Sequence, residues 1–194
     1  MKSITQAHID RAMTYDAYRA LIDSLLAEGK STGPKQSDSL LGYSKLNAHR
    51  MGRLDTHFTM LPELDAAVRA AKPQTWLVLT EGWCGDAANI VPVFRHIELA
   101  NPDIRVLFLL RDENLDLMDQ FLTNGGRSIP KMIVLDADLN ETTTWGPRPA
   151  EGQALMDAMK AQDLPYAEKA EKLQLWYARD RTRAIQIELA ALLQ

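Results

Sequence analysis

Apolar residues recur with helical spacing through the first third of the chain. Tyr18, Leu21, Ile22, Leu25 and Leu26 fall at i, i+3, i+4, i+7 and i+8, which predicts an amphipathic helix over Thr14 to Glu28. Thr14 supplies a plausible N-cap and Gly29 a stop. Lys30 to Asp38 is polar and holds Gly33-Pro34, a loop signal, after which a weaker helical pattern returns over Leu40 to Arg53. His57 to Met60 reads as a short strand, and Pro62-Glu63-Leu64 opens a helix with proline in its first turn, running to about Ala71.

The pattern changes near residue 74. Trp76-Leu77-Val78-Leu79 and Ile104 to Leu110 are short, largely apolar runs separated by a helical stretch, Ala87 to Ala100, which predicts a βαβ unit with a parallel strand pair. Leu115 to Leu122 predicts a short helix broken by Asn124-Gly125-Gly126. Lys131 to Leu135 and Glu141 to Trp145, joined across Asp136 to Asn140, then predict an antiparallel hairpin and with it a mixed sheet. Glu151 to Ala161 and Tyr166 to Leu193 complete the chain as helices, with Leu173, Trp176, Tyr177, Ile185, Leu189 and Leu192 as candidate buried positions.

Composition narrows the class. With 194 residues, 46% apolar and 25% charged, the chain can bury a real core and is neither low-complexity nor collagen-like. A net charge of -4, with no run of like charges, argues against nucleic acid as a partner. Apolar runs such as Trp76 to Leu79 fall far short of the roughly 20 residues that span a bilayer, so no membrane association is expected. Met1 to His8 has one lysine and no apolar stretch behind it, so no secretory signal and a cytoplasmic location are expected. His8, His49, His57 and His96 show no metal-ligand spacing with one another or with Cys84, and Gly125-Gly126 precedes a strand rather than a helix, so neither a metal site nor a phosphate cradle is assigned.

The candidate chemistry lies in Trp83-Cys84-Gly85-Asp86-Ala87, where a strand ends and a helix begins. Cys84 is the only cysteine, which excludes an intramolecular disulfide. The free N–H groups and partial positive charge of a helix start stabilise a thiolate, whereas a lone cysteine can equally be a small buried hydrophobe.

From about Gln74 to Ala161 the chain resembles the thioredoxin family. Trp83-Cys84-Gly85 matches the start of the Trp-Cys-Gly-Pro-Cys signature, and Pro92 falls eight residues after the cysteine, where the family carries a helix-kinking proline. Pro130, within Arg127 to Leu135, matches the loop whose cis-proline faces the active-site cysteine. With Arg111 to Asn114 and Trp145-Gly146-Pro147-Arg148-Pro149, the extended form is similar to a set of bacterial thioredoxin family proteins. The resemblance implies an α/β fold: a thioredoxin-like mixed β-sheet flanked by helices, with N-terminal and C-terminal helical extensions. The organisation it suggests is a helical extension over 1–73 packed on the core, a thioredoxin-like domain over 74–161 and a C-terminal helix over 162–194. By the same resemblance Cys84, Trp83 and Asp86 are the candidate catalytic residues and Ile129, Pro130 and Arg127 the substrate-binding ones, with Ile129 offering its backbone to a substrate strand and Trp83 readable as a lid beside the thiol or as an ordinary aromatic at the sheet's edge.

The departures are as informative. Ala87 stands where the family has its second cysteine, so a dithiol cycle cannot close. What remains is a monothiol route in which Cys84 forms a mixed disulfide or sulfenic acid. No bound cofactor is expected; glutathione or another small thiol serves as co-substrate, and the partners are a protein or low-molecular-weight thiol or disulfide. The alternative is a non-catalytic thioredoxin-fold binding or scaffold protein. A one-cysteine peroxidase fits less well, because that relative of the fold has threonine three residues before its cysteine and here the position holds Glu81. Asp86 replaces proline and adds a negative charge beside the thiol: two charges about 6 Å apart at an effective dielectric of 20 repel by roughly 3 kcal/mol, or about two pKa units. Arg127 is the candidate cation to offset it, with Arg111 a weaker one. Trp145 and Arg148 with their flanking prolines form a rigid charged loop, readable equally as a solvated turn.

Overall fold

The computed structural model describes residues 4–194. Its centre is a four-stranded sheet of β1 (Gln74–Thr80), β2 (Ile104–Leu110), β3 (Lys131–Leu135) and β4 (Glu141–Trp145), in the order β2-β1-β3-β4. β2 runs parallel to β1, while β3 is antiparallel to both β1 and β4. Helix α5 (Ala87–Ala100) makes the crossover from β1 to β2. β1 and β2 are continuous apolar runs because helices cover both faces of the sheet at its centre. Trp76 shows how the core is filled: it is fully buried, with its ring edge-on to Phe94 at 5.5 Å. Phe94 in turn meets Trp145 edge-on at 6.1 Å, joining α5 to β4.

Before the sheet come α1 (Gln6–Asp10), α2 (Tyr15–Ala27), α3 (Asp38–His57) and α4 (Pro62–Ala70). α2 begins where its cap predicts, with Thr14 Oγ1 accepting from Ala17 N. Its buried Tyr18 stacks on Phe108 of β2 at 5.4 Å, so the N-terminal helices pack directly on the sheet layer. Just ahead of α2, Met13 exchanges two backbone hydrogen bonds with Phe108, each 2.8 Å, along the outer edge of β2. After the sheet's second strand come a short 3-10 turn (Arg111–Glu113) and α6 (Leu115–Met118), and after β4 come α7 (Ala150–Ala161), α8 (Tyr166–Asp180) and α9 (Arg183–Leu192). The architecture is a thioredoxin-like α/β fold with helical extensions at both ends.

Three local expectations are corrected. No strand forms over His57 to Met60: α3 continues to His57, Phe58 stacks on His96 at 4.5 Å, and the backbone beyond is taken by a side chain. Gln186 donates to Thr59 O at 3.1 Å and accepts from Leu61 N at 2.7 Å, leaving no ladder to build. The helix expected over Leu115 to Leu122 is regular only to Met118. The helical tail is interrupted because Arg181 and Thr182 both take left-handed backbone, with φ of 52 and 66, so the chain turns between α8 and α9.

The loop after β4 abuts the loop before β3. Gly146 has a φ of 109, and a Cβ there would lie 2.2 Å from the Pro130 carbonyl oxygen. Glycine is needed for both reasons. Gly146→Ala is expected to lower stability by about 2 to 4 kcal/mol in urea unfolding; an unchanged midpoint would mean that the two loops are not in contact as described.

Candidate active site

Cys84 lies in the turn between β1 and α5. Its N–H donates to Glu81 O at 3.1 Å and its carbonyl accepts from Ala88 N at 3.2 Å, so the cysteine already belongs to the opening turn of the helix. The thiol donates to Ile129 O at 3.3 Å, and the Ile129–Pro130 peptide is cis. Cys84, Asp86, Ile129 and Pro130 are thus brought to one place. Arg127 is not: its guanidinium is exposed and bidentate with Asp119, at 2.6 and 2.8 Å. Trp83 is half-buried, and the Arg111 guanidinium lies 4.8 Å above its ring.

The cation beside Asp86 is Arg148. Its Nη2 donates to Asp86 Oδ2 at 2.5 Å and its Nε to Oδ1 at 3.3 Å, while Gln153 Oε1 accepts from Nη1 at 2.8 Å. Tyr177 Oη completes the carboxylate's shell from α8, donating to Oδ1 at 2.8 Å. The loop Gly146 to Pro149, between β4 and α7, is therefore a site element. A second contact from α8 falls on the preceding residue of the motif, Gly85. Gln174 Nε2 and Asn89 Nδ2 both donate to Gly85 O, at 3.1 and 2.8 Å, and Asn89 also donates to Gln174 Oε1 at 2.9 Å. Glycine at 85 is what permits this, since a Cβ there would lie 2.9 Å from Gln174 Nε2.

The electrostatic result is a thiol held in its protonated form. Cys84 is 8% exposed, and burial, followed by the Asp86 charge, pushes its pKa up to about 12. The backbone N–H groups of Ala87 and Asp86 and the Arg148 guanidinium act in the opposite direction and are outweighed.

Glu81, directly after β1, is fully buried beneath the same turn. Its Oε2 accepts from Thr32 Oγ1 at 2.5 Å and its Oε1 from Asp112 N at 2.9 Å. Thr32 also accepts from Gly82 N at 2.9 Å, and the buried Asn47 of α3 donates to Gly82 O at 3.0 Å. The polar loop between α2 and α3 is thereby folded under the motif. Burial raises the Glu81 pKa to about 7.

A profile of the thioredoxin family matches residues 33–160, more than half of the chain. The chain belongs to the thioredoxin family. The match begins at Gly33, well before β1, so part of the N-terminal helical region lies within the family's own pattern. Two solved structures share the fold at low identity. One, described as an HIV epitope-scaffold, is 16% identical with a TM-score of 0.62, covering 98% of each chain. The other, a protein of unknown function from Pseudomonas aeruginosa, is 15% identical with a TM-score of 0.57, covering 93% of this chain and 97% of the other. No curated protein matches the chain.

Among the residues that the sequence reading did not place at the site, Tyr177 and Gln174 lie about 90 positions from their partners in the motif and carry no local signal. Glu81 did carry one, as a carboxylate directly after an apolar strand.

Two predictions follow the charges. Asp86→Asn removes the charge that opposes the thiolate and leaves Arg148 uncompensated beside it. The pKa of Cys84 should fall, and its alkylation at pH 8 should quicken by roughly tenfold or more; an unchanged or slower rate would contradict the assignment. For Glu81 the folded pKa, about 7, stands above the unfolded value. Its contribution to stability is therefore complete below about pH 4.5 and is lost as pH rises to about 7, by roughly 3 kcal/mol at most. Glu81→Gln should flatten the stability profile over that window.

Proposed function

We propose that this thioredoxin family protein is a monothiol thiol–disulfide exchange protein working through Cys84, with the thiol sequestered at rest. The observation that carries the reading is the position of the thiol against the backbone of Ile129. A disulfide sulfur seated there would lie beside a strand-like edge that can hold the rest of the substrate.

In the first step the Cys84 thiolate attacks one sulfur of a disulfide R–S–S–R′. A Cys84–S–S–R bond forms, the R–S–S–R′ bond breaks, and R′S⁻ leaves with the electron pair. In the second, a small thiolate such as glutathione attacks the R sulfur of the mixed disulfide and releases Cys84 as thiolate, leaving a new disulfide. Each step exchanges one S–S bond for another, so no further oxidant or reductant is required. Ala87 in place of a second cysteine makes the external thiol obligatory.

A protonated, buried thiol is a poor nucleophile, so the reaction needs the Gln174 and Tyr177 contacts to loosen. Exposure removes the desolvation that dominates the pKa, so that the α5 N–H groups and Arg148 are then opposed by the Asp86 charge alone. A reducing compartment such as the cytoplasm would supply the resolving thiol.

The test is alkylation of Cys84 against pH, with and without prior oxidised glutathione, followed by intact mass. The wild-type protein is expected to gain one glutathione slowly, Cys84→Ser none, and Gln174→Ala several-fold faster than wild type. Absence of an adduct in both the wild-type and Gln174→Ala proteins would overturn the reading.

A further inference from the structure

The groove between α3 and α8 encloses about 810 Å³, well within the range of small-molecule sites. Its walls are strongly unbalanced in charge. Arg50 and Arg53 come from α3, with His57 at that helix's end, and Arg181 from the turn after α8; the single acidic residue in the lining is Glu171. Among the described residues none of the three arginines has a carboxylate partner. Arg50 is the most telling: it is half-buried, its one hydrogen bond goes to the amide oxygen of Asn47 at 2.7 Å, and burial lowers its pKa with nothing offsetting it.

A cation withdrawn from water without a counter-charge is costly unless a bound anion completes it. The carbonyl end of α8 offsets part of the Arg181 charge, but that effect fades within the last helical turn, and Arg50 lies seven residues before the end of α3. The left-handed backbone at Arg181 and Thr182 lines the same cavity. Non-glycine residues in that region carry strain, and such strain gathers at binding sites.

The groove is also joined to the thiol's own turn. Asn89 and Gln174 line the cavity and are the two side chains that donate to Gly85 O. The apolar surface of Leu54, Phe58 and Leu175 completes the walls, which suits an organic body rather than a bare inorganic ion.

We propose that the groove between α3 and α8 binds a small anionic thiol or its disulfide, with the carboxylates or phosphates of that molecule neutralising Arg50, Arg53 and Arg181. The ligand's service as the co-substrate that resolves Cys84 rests on the exchange reading above; its binding does not.

Binding is therefore measured by calorimetry on Cys84→Ser protein, which cannot form an adduct, at low salt. Glutathione disulfide probes carboxylates and coenzyme A disulfide probes phosphates, with the uncharged bis(2-hydroxyethyl) disulfide as control. At least one charged probe is expected to bind, with affinity falling as salt rises. Binding should weaken at least tenfold on Arg50→Gln and on Arg53→Glu. Arg53 is an exposed helix position whose change leaves the fold intact, and Arg181→Asn, which keeps the left-handed backbone accessible, should weaken binding in the same way. The proposal is overturned if neither charged probe binds, if the uncharged disulfide binds equally well, or if Arg53→Glu and Arg181→Asn leave affinity unchanged. Failure of the exchange reading shows differently, as anion binding that persists while wild-type Cys84 never accepts an adduct.

Discussion

The ion pair between Asp86 and Arg148 organises the site. Both side chains are largely removed from solvent, 9% and 14% exposed, where a pair repays its desolvation only if further hydrogen bonds complete it. Tyr177 and Gln153 supply them. Three segments far apart in sequence thereby share one point: the start of α5, the loop before α7, and the C-terminal part of α8. The placement of α8 over the Gly85 turn, and through it the burial of Cys84, follows from satisfying that carboxylate.

The same constraint sets the chemistry. A helix start would ordinarily make the cysteine acidic, and the N–H groups of Asp86 and Ala87 do act in that direction. They lose to burial and to the Asp86 charge. Arg148 is attracted by the carboxylate more strongly than it can attract the thiolate, so the charge that weakens the nucleophile is also the one that recruits a cation to its side. With Ala87 in place of the family's second cysteine, the chain holds no second thiol that could release a mixed disulfide.

How far all this could be read from the sequence depended on range. The βαβ unit, the hairpin and the α2 boundaries were visible because each rests on local periodicity, a cap or a turn signal. So was the meeting of Cys84 with Ile129 and Pro130, which a short motif at each end announces. Arg127 was misplaced as the offsetting cation because proximity in the fold was judged by loop, whereas the contest was decided by Asp119, eight residues away, which takes its guanidinium. Arg148 wins the role from across the sheet. Gln186 erased an expected strand by taking the backbone groups around Met60, a contact spanning more than 120 positions that no local pattern encodes.

The bridge between Met13 and Phe108 bears on how the molecule meets copies of itself. A parallel strand at the margin of a sheet normally presents a row of unpaired amides and carbonyls to any passing chain. Two hydrogen bonds from the segment ahead of α2 occupy the middle of that row on β2. The opposite margin, β4, is five residues long and carries three threonines and a glutamate, poor material for apolar zipping. The two borders of the sheet thus differ: β2 is partly paired by the chain's own segment ahead of α2, and β4 is short and polar.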